Sequence, residues 1–352
     1  MRNASPISSR VLTWPPRLLA MFAAVGLSAA EPGLRRSDPL QIFHPAVTVS
    51  PAERAQLNRG ETLVKSLPAV DGQVAIFAAV TTDVSGQRLV RWVRRIDAMK
   101  RGRYAPDVVR FSEPPRIEDL ATLQLAEDDL DDLRTCRPGD CGLKLSAEEI
   151  TTLSHIARER RPGWQREAQQ AFRLALLRRA HTYLAHGLKG LPPYLDRRAP
   201  VRLDEEFAAI LAASSFLPTR FPMLARFLSR YPAASEPDVE SFLYWSKEIL
   251  GNKPVISITH VTLAQFDHGA DAAVVSRQVY ASHYMAGSLA VTAISGGTDG
   301  SRYLLYLNRS RVDVLHGFLG GLVRRIVERR LRSEAGDVVD ALRRRLESGD
   351  PP

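Results

Sequence analysis

Four β-rich runs separated by very short connections constrain this chain more than any other feature. They are residues 255–266 (VISITHVTLAQF), 273–284 (AVVSRQVYASHY), 288–295 (SLAVTAIS) and 302–309 (RYLLYLNR). They are separated by short breaks marked by Asp267-His268-Gly269, Met285-Ala286-Gly287 and the glycine-rich segment 296–300. Links that short cannot carry a crossover helix, so neighbouring strands must run antiparallel, as a meander. A glycine-rich stretch, 317–321, leads into a long helix that ends near Leu346. Leu322, Val323, Ile326, Leu331, Val338, Leu342 and Leu346 recur along it at i, i+3, i+4 spacing, and Arg324, Arg325, Arg329, Arg332, Arg343 and Arg344 occupy the opposite side.

Upstream, the patterns change in order. Ser50-Pro51 reads as N-cap and first helical position of a helix continuing to about Leu67. Residues 73–82 (QVAIFAAVTT) read as a buried strand, 83–99 as an amphipathic helix through Leu89, Val90, Trp92, Val93 and Ile96, and 107–111 as a second strand. The block from about 118 to 250 is expected to be helical, with a capping box at Ser146 and Glu149 and prolines at 192, 193, 218, 222 and 232 as breaks. Its acidic run EDDLDD lacks the spacing of a calcium loop and reads as a solvated edge.

The N-terminus fits a cleavable export signal. Arg2, Arg10 and Arg17 precede a short apolar run, 18–27, and the small residues Ser28-Ala29-Ala30, with no acid before Glu31. The run is about half of what a spanning helix needs. Cleavage after Ala30 is expected, followed by a loose leader, 31–50, and a periplasmic or extracellular destination. Removing three arginines from the formal +9 leaves +6, a small surplus that does not call for nucleic acid. In an oxidising compartment Cys136 and Cys141, the two cysteines of CRPGDC, are expected to form a disulfide around the Pro138-Gly139 turn. Zinc would need two more ligands, and no metal site is expected.

Strand then helix over 73–113, inserted helices over about 118–250, and meander then long helix over 254–346 resemble the helix-grip layout of the START-like, polyketide-cyclase-like superfamily. The resemblance implies an α+β fold spanning 51–352, with the sheet curved around the C-terminal helix and an apolar cavity between them. It also implies a lipid, sterol or isoprenoid ligand. With each turn pairing its flanking residues, Ile256, Ile258, His260, Gln278, Tyr280, Leu289, Val291, Leu305 and Leu307 share one face, and Ser257, Thr259, Arg277 and His283 the other. The first face is the more apolar and is assigned to the interior beneath the helix. Ile258, His260, Gln278, Tyr280, Val291 and Leu305, with Leu322 and Ile326 from the helix, become the expected ligand wall. Arg324, Arg325 and Arg329 become a possible contact to anionic membrane.

Two other roles stay open. No G-x-S-x-G, H-E-x-x-H, P-loop or G-x-G-x-x-G occurs, so no cofactor is expected and a reaction would rest on dispersed residues such as His260 and Tyr280, with His283 and Asp313 as further candidates. The third role is that of an envelope interaction protein using the helical block as its surface.

Overall fold

The strands of the meander, read as continuous apolar runs rather than clean alternations, need cover on both faces. The computed structural model, which describes residues 38–70, 72–250, 253–313 and 320–349, supplies it with helices on each side of one antiparallel sheet. The strands are β1 (Leu63–Ser66), β2 (Gln73–Thr81), β3 (Asp107–Arg110), β4 (Val239–Leu250), β5 (Lys253–Phe266), β6 (Asp271–Ala281), β7 (Met285–Gly296) and β8 (Arg302–Val312). Their order is β1-β2-β8-β7-β6-β5-β4-β3, every pair antiparallel. The helices are α1 (Pro51–Asn58), α2 (Gly86–Arg94), α3 (Ile96–Lys100), α4 (Glu127–Asp132), α5 (Ala147–Glu159), α6 (Trp164–His186), α7 (Leu203–Ala212), α8 (Phe216–Arg220), α9 (Pro222–Arg230) and α10 (Gly320–Glu347). The fold is α+β, with the C-terminal helix packed on an open sheet, an architecture compatible with a helix grip.

One face belongs to α5–α9. Ile150 and Leu153, Phe172 and Leu176, Phe207 and Leu224 pack there against Phe77, Ile258, Tyr280, Val291 and Leu305. The other face belongs to α2, α3 and α10, where Leu89, Val93, Ile96, Val339 and Leu346 meet Val80, Tyr244, Leu263, Val274 and Leu304. This corrects the expected cover of the ligand wall. The face carrying Ile258, Val291 and Leu305 lies beneath the helical block, and α10 packs on the opposite side. The physical reason is that both faces are apolar, so greater apolarity alone does not decide which helix each receives.

Several boundaries also differ from expectation. The first helix stops at Asn58, because Gly60 sits at φ +78° and the chain then turns back to pair β1 with β2. The helix expected over 83–99 is broken at Arg95 into α2 and α3. Residues 239–250, expected within the helical block, form β4 and pair with β5 along its length. Phe242 and Tyr244 alternate with Leu243 and Trp245 toward the two cores, a pattern that suits a strand covered on both sides. Residues 38–50 are not a loose leader. Leu40, Ile42, Phe43 and Val47 are buried in the core, and Phe43 meets Phe77 and Phe216 edge-on. The expected export signal, residues 1–30, lies outside the described residues.

Local signals for caps and cross-link are met. Ser50 and Ser146 form capping boxes with Glu53 and Glu149, and Cys136–Cys141 is a disulfide with Cα atoms 4.5 Å apart. Among the described residues no helix is long and apolar enough to cross a membrane.

Candidate functional site

A β-bulge positions the most unusual side chains in the fold. Between β5 and β6 the register steps from Ile258↔Tyr280 to Thr259↔Gln278, leaving Val279 as the extra residue. Arg277 therefore stands opposite His260, and Gln278 opposite Thr259. The face expected for Gln278 is thus corrected: one inserted residue moves it to the other side of the sheet and brings Arg277 round beside His260.

His260 and Arg277 are 1% and 2% exposed. Helix α6 lays Tyr183 over them. The Tyr183 hydroxyl lies 2.7 Å from His260 Nδ1, and Arg277 Nη2 donates both to Tyr183 Oη and, at 3.1 Å, to the same Nδ1. Arg277 Nη1 donates to the Leu228 carbonyl at 2.9 Å. Rings close the rest of the guanidinium: Phe207, Tyr183 and Tyr231 have centroids 5.0, 5.2 and 5.4 Å from its carbon. Tyr231 stacks on Tyr183 and lies 4.5 Å, centroid to centroid, from His260.

This network assigns the histidine tautomer. A guanidinium can only donate, so Nδ1 is the unprotonated nitrogen and the neutral ring carries its proton on Nε2. Burial first, and the Arg277 charge second, hold the His260 pKa well below its ordinary value. Burial likewise pushes up the Tyr183 and Tyr231 hydroxyls. The ring lines a cavity of about 220 Å³ with Tyr231, Leu184, Phe111, Pro115 and Leu243, and its Nε2 has no partner among the described residues. It can donate a hydrogen bond to a ligand acceptor, and it is a poor proton acceptor near neutral pH.

A second cavity, of about 420 Å³, lies where the first residues of β5 and the β6–β7 turn meet the disulfide loop. Its walls are charged. Lys144 Nζ is 2.7 Å from Asp313 and 3.4 Å from Asp196, Arg197 is 3.0 Å from Asp313, and Lys253 reaches Asp129 and Asp132 at 3.2 and 2.6 Å. His283 Nδ1 lies 3.0 Å from the Gly142 carbonyl oxygen, and its Nε2 lies 3.2 Å from an Asp129 carboxylate oxygen. Burial alone would raise the Asp129 carboxyl, but the His283 bond and charge, with Lys253, hold it below its ordinary range. With both ring nitrogens occupied, His283 has none left for a substrate. Tyr284 borders this cavity at φ +63°, and its hydroxyl accepts from the Lys253 amide. The cross-linked loop is pinned there by Cys141 N–H donating to the Asp196 carbonyl at 3.0 Å.

Of the expected ligand wall, His260 lines the first cavity, whereas Ile258, Tyr280, Val291 and Leu305 line neither. Tyr280 packs edge-on against Phe172 and Tyr194 with the Arg179 guanidinium 5.4 Å above its ring, and its hydroxyl has no hydrogen-bond partner among the described residues. The side chains of Leu322, Ile326, Arg324 and Arg325 lie outside the described residues; Arg329 is exposed. His260 and His283 belong to different cavities, with Asp313 beside the second. Among the described residues no three His, Cys, Asp or Glu side chains are grouped to hold a metal ion. Sequence reasoning missed Tyr183, Tyr231 and Arg277. The available signal was Arg277 itself, a single cation inside the apolar run AVVSRQVY. No protein-family model and no curated protein matches the chain.

Proposed function

We propose that this protein binds a small hydrophobic ligand in the cleft floored by His260, on the helical-block side of the sheet. The observation that carries the reading is a neutral imidazole, locked at Nδ1 by Tyr183 and Arg277, whose free nitrogen adjoins a cavity with apolar and aromatic walls. Such a site combines apolar and aromatic side chains with a few polar ones, Ser112, Ser241 and the oriented His260, the usual composition of a small-molecule pocket. The reading keeps the hydrophobic character of the ligand implied by the START-like resemblance, reduces its size from a lipid or sterol to what about 220 Å³ holds, and moves the site from beneath the C-terminal helix to the opposite face. Export is part of the proposal: the N-terminal pattern and the Cys136–Cys141 disulfide both suit an oxidising compartment. The same chain would then act as a carrier or sensor of apolar compounds outside the cytoplasm.

Native mass spectrometry of the purified protein, followed by calorimetric titration with small aromatic and short-chain amphipathic compounds, tests this. One-to-one binding that disappears in Ser241→Trp, which places an indole in the cleft, is the expected result. Binding unaffected by Ser241→Trp, or no binding by any compound together with no co-purifying ligand, overturns it.

A further inference from the structure

We infer that the ligand of the His260 cleft is an organic anion, an apolar acid whose carboxylate accepts from His260 Nε2–H. The inference rests on the cleft being the ligand site. It starts from the charge balance of the buried cations. Arg179 has a bidentate partner in Glu149, at 2.8 Å through Nε, and Lys144 sits between Asp196 and Asp313. Among the described residues Arg277, as deeply buried, has neither a carboxylate within ion-pair distance nor an acceptor for its Nε. Three aromatic faces and three neutral acceptors offset part of the desolvation, but none neutralises the charge. Arg309, also buried without a carboxylate among the described residues, lines neither cavity.

Arg277 reaches the cavity through His260. Because Nδ1 accepts from the guanidinium, the ring is polarised with its positive end at Nε2–H, the nitrogen left for a ligand. A carboxylate there completes a row of cation, neutral imidazole and anion. The guanidinium and carboxylate would be separated by about 7 Å, which at an effective dielectric constant of about 20 favours an acid over its neutral isostere by roughly 10- to 100-fold. Glu113 is the charged carboxylate on the lining; its side chain is 71% exposed at the rim and is paired with Arg110 at 3.4 Å, so solvent screens it. Size adds a second limit. A dry cavity of about 150 Å³ holds benzene, and about 220 Å³ therefore fits one ring with its carboxylate.

The matched probes are phenylacetate and phenylacetamide, titrated calorimetrically into the full chain at pH 7. The expected result is acid binding 10- to 100-fold tighter than amide binding, with the preference collapsing to within about threefold in Arg277→Met. Wild-type ¹⁵N spectra of the imidazole keep the inference testable where Arg277→Met does not fold: phenylacetate should shift the His260 Nε2–H resonance while the ring stays neutral. Amide binding equal to or tighter than acid binding overturns the anion assignment and leaves the cleft standing. An unmoved His260 resonance at saturating acid overturns it as well. Absence of binding by both probes overturns the assignment together with the site.

Discussion

The neutral state of His260 has a measurable consequence for folding. In the native protein, burial and the Arg277 charge hold this ring unprotonated well below pH 6.5, whereas in the unfolded chain it takes up a proton around its ordinary value of 6.5. The unfolded state therefore binds more protons in that window. The contribution is fully present above about pH 6.5 and is lost as pH falls toward the native pKa. The limiting slope is about 1.4 kcal/mol per pH unit, and between pH 7 and pH 5 the loss reaches about 2 kcal/mol while the native ring stays neutral. The perturbation that isolates it is His260→Gln, which keeps an acceptor for Arg277 and Tyr183 but cannot titrate. Urea unfolding of both proteins at pH 7, 6 and 5 checks it. Asp129, Glu149 and Glu248, held below their ordinary values by cationic partners, lose their contributions at lower pH, and they do so in both proteins. Wild type should lose about 2 kcal/mol more than the variant across the window. Parallel pH curves would refute a buried neutral histidine and, with it, the tautomer on which the cleft depends.

Reduction of Cys136–Cys141, a loop closed over a sequence separation of 5, should cost about 2 kcal/mol in the chain-entropy model and should be visible in unfolding with and without dithiothreitol. Arg179→Met leaves Glu149 as an uncompensated buried carboxylate and should destabilise by about 3–5 kcal/mol in chemical denaturation. Gly187 ends α6 at φ +66°, and a Cβ there would come within 2.6 Å of the Tyr231 carbonyl. Gly187→Ala should therefore destabilise by about 1–3 kcal/mol and weaken ligand binding through displaced Tyr231, read by thermal unfolding and calorimetry together.

What the sequence by itself determined was set by short-range chemistry. The meander follows from turns too short for any other pairing, and the four runs appear as β5, β6, β7 and β8. The caps at Ser50 and Ser146 follow from hydroxyl and carboxylate three residues apart, and the disulfide from two cysteines around a Pro-Gly turn. These features depend on neighbours within a few residues, so the pattern contains their cause. His260 was legible as a polar interruption of an apolar strand for the same reason.

The tertiary structure decided the rest. A single extra residue at Val279 exchanged Gln278 for Arg277 beside His260, and the alternation along β6 is equally regular with or without that step. Helices on both sides of the sheet made both faces apolar, so the pattern could not say which face α10 would take. Tyr183 and Arg277 are 94 residues apart, and Tyr183 and His260 are 77 apart. Side chains separated by such distances share no local pattern. They meet because α6 packs across β5 and β6, and that packing creates a neutral histidine beside a buried cation.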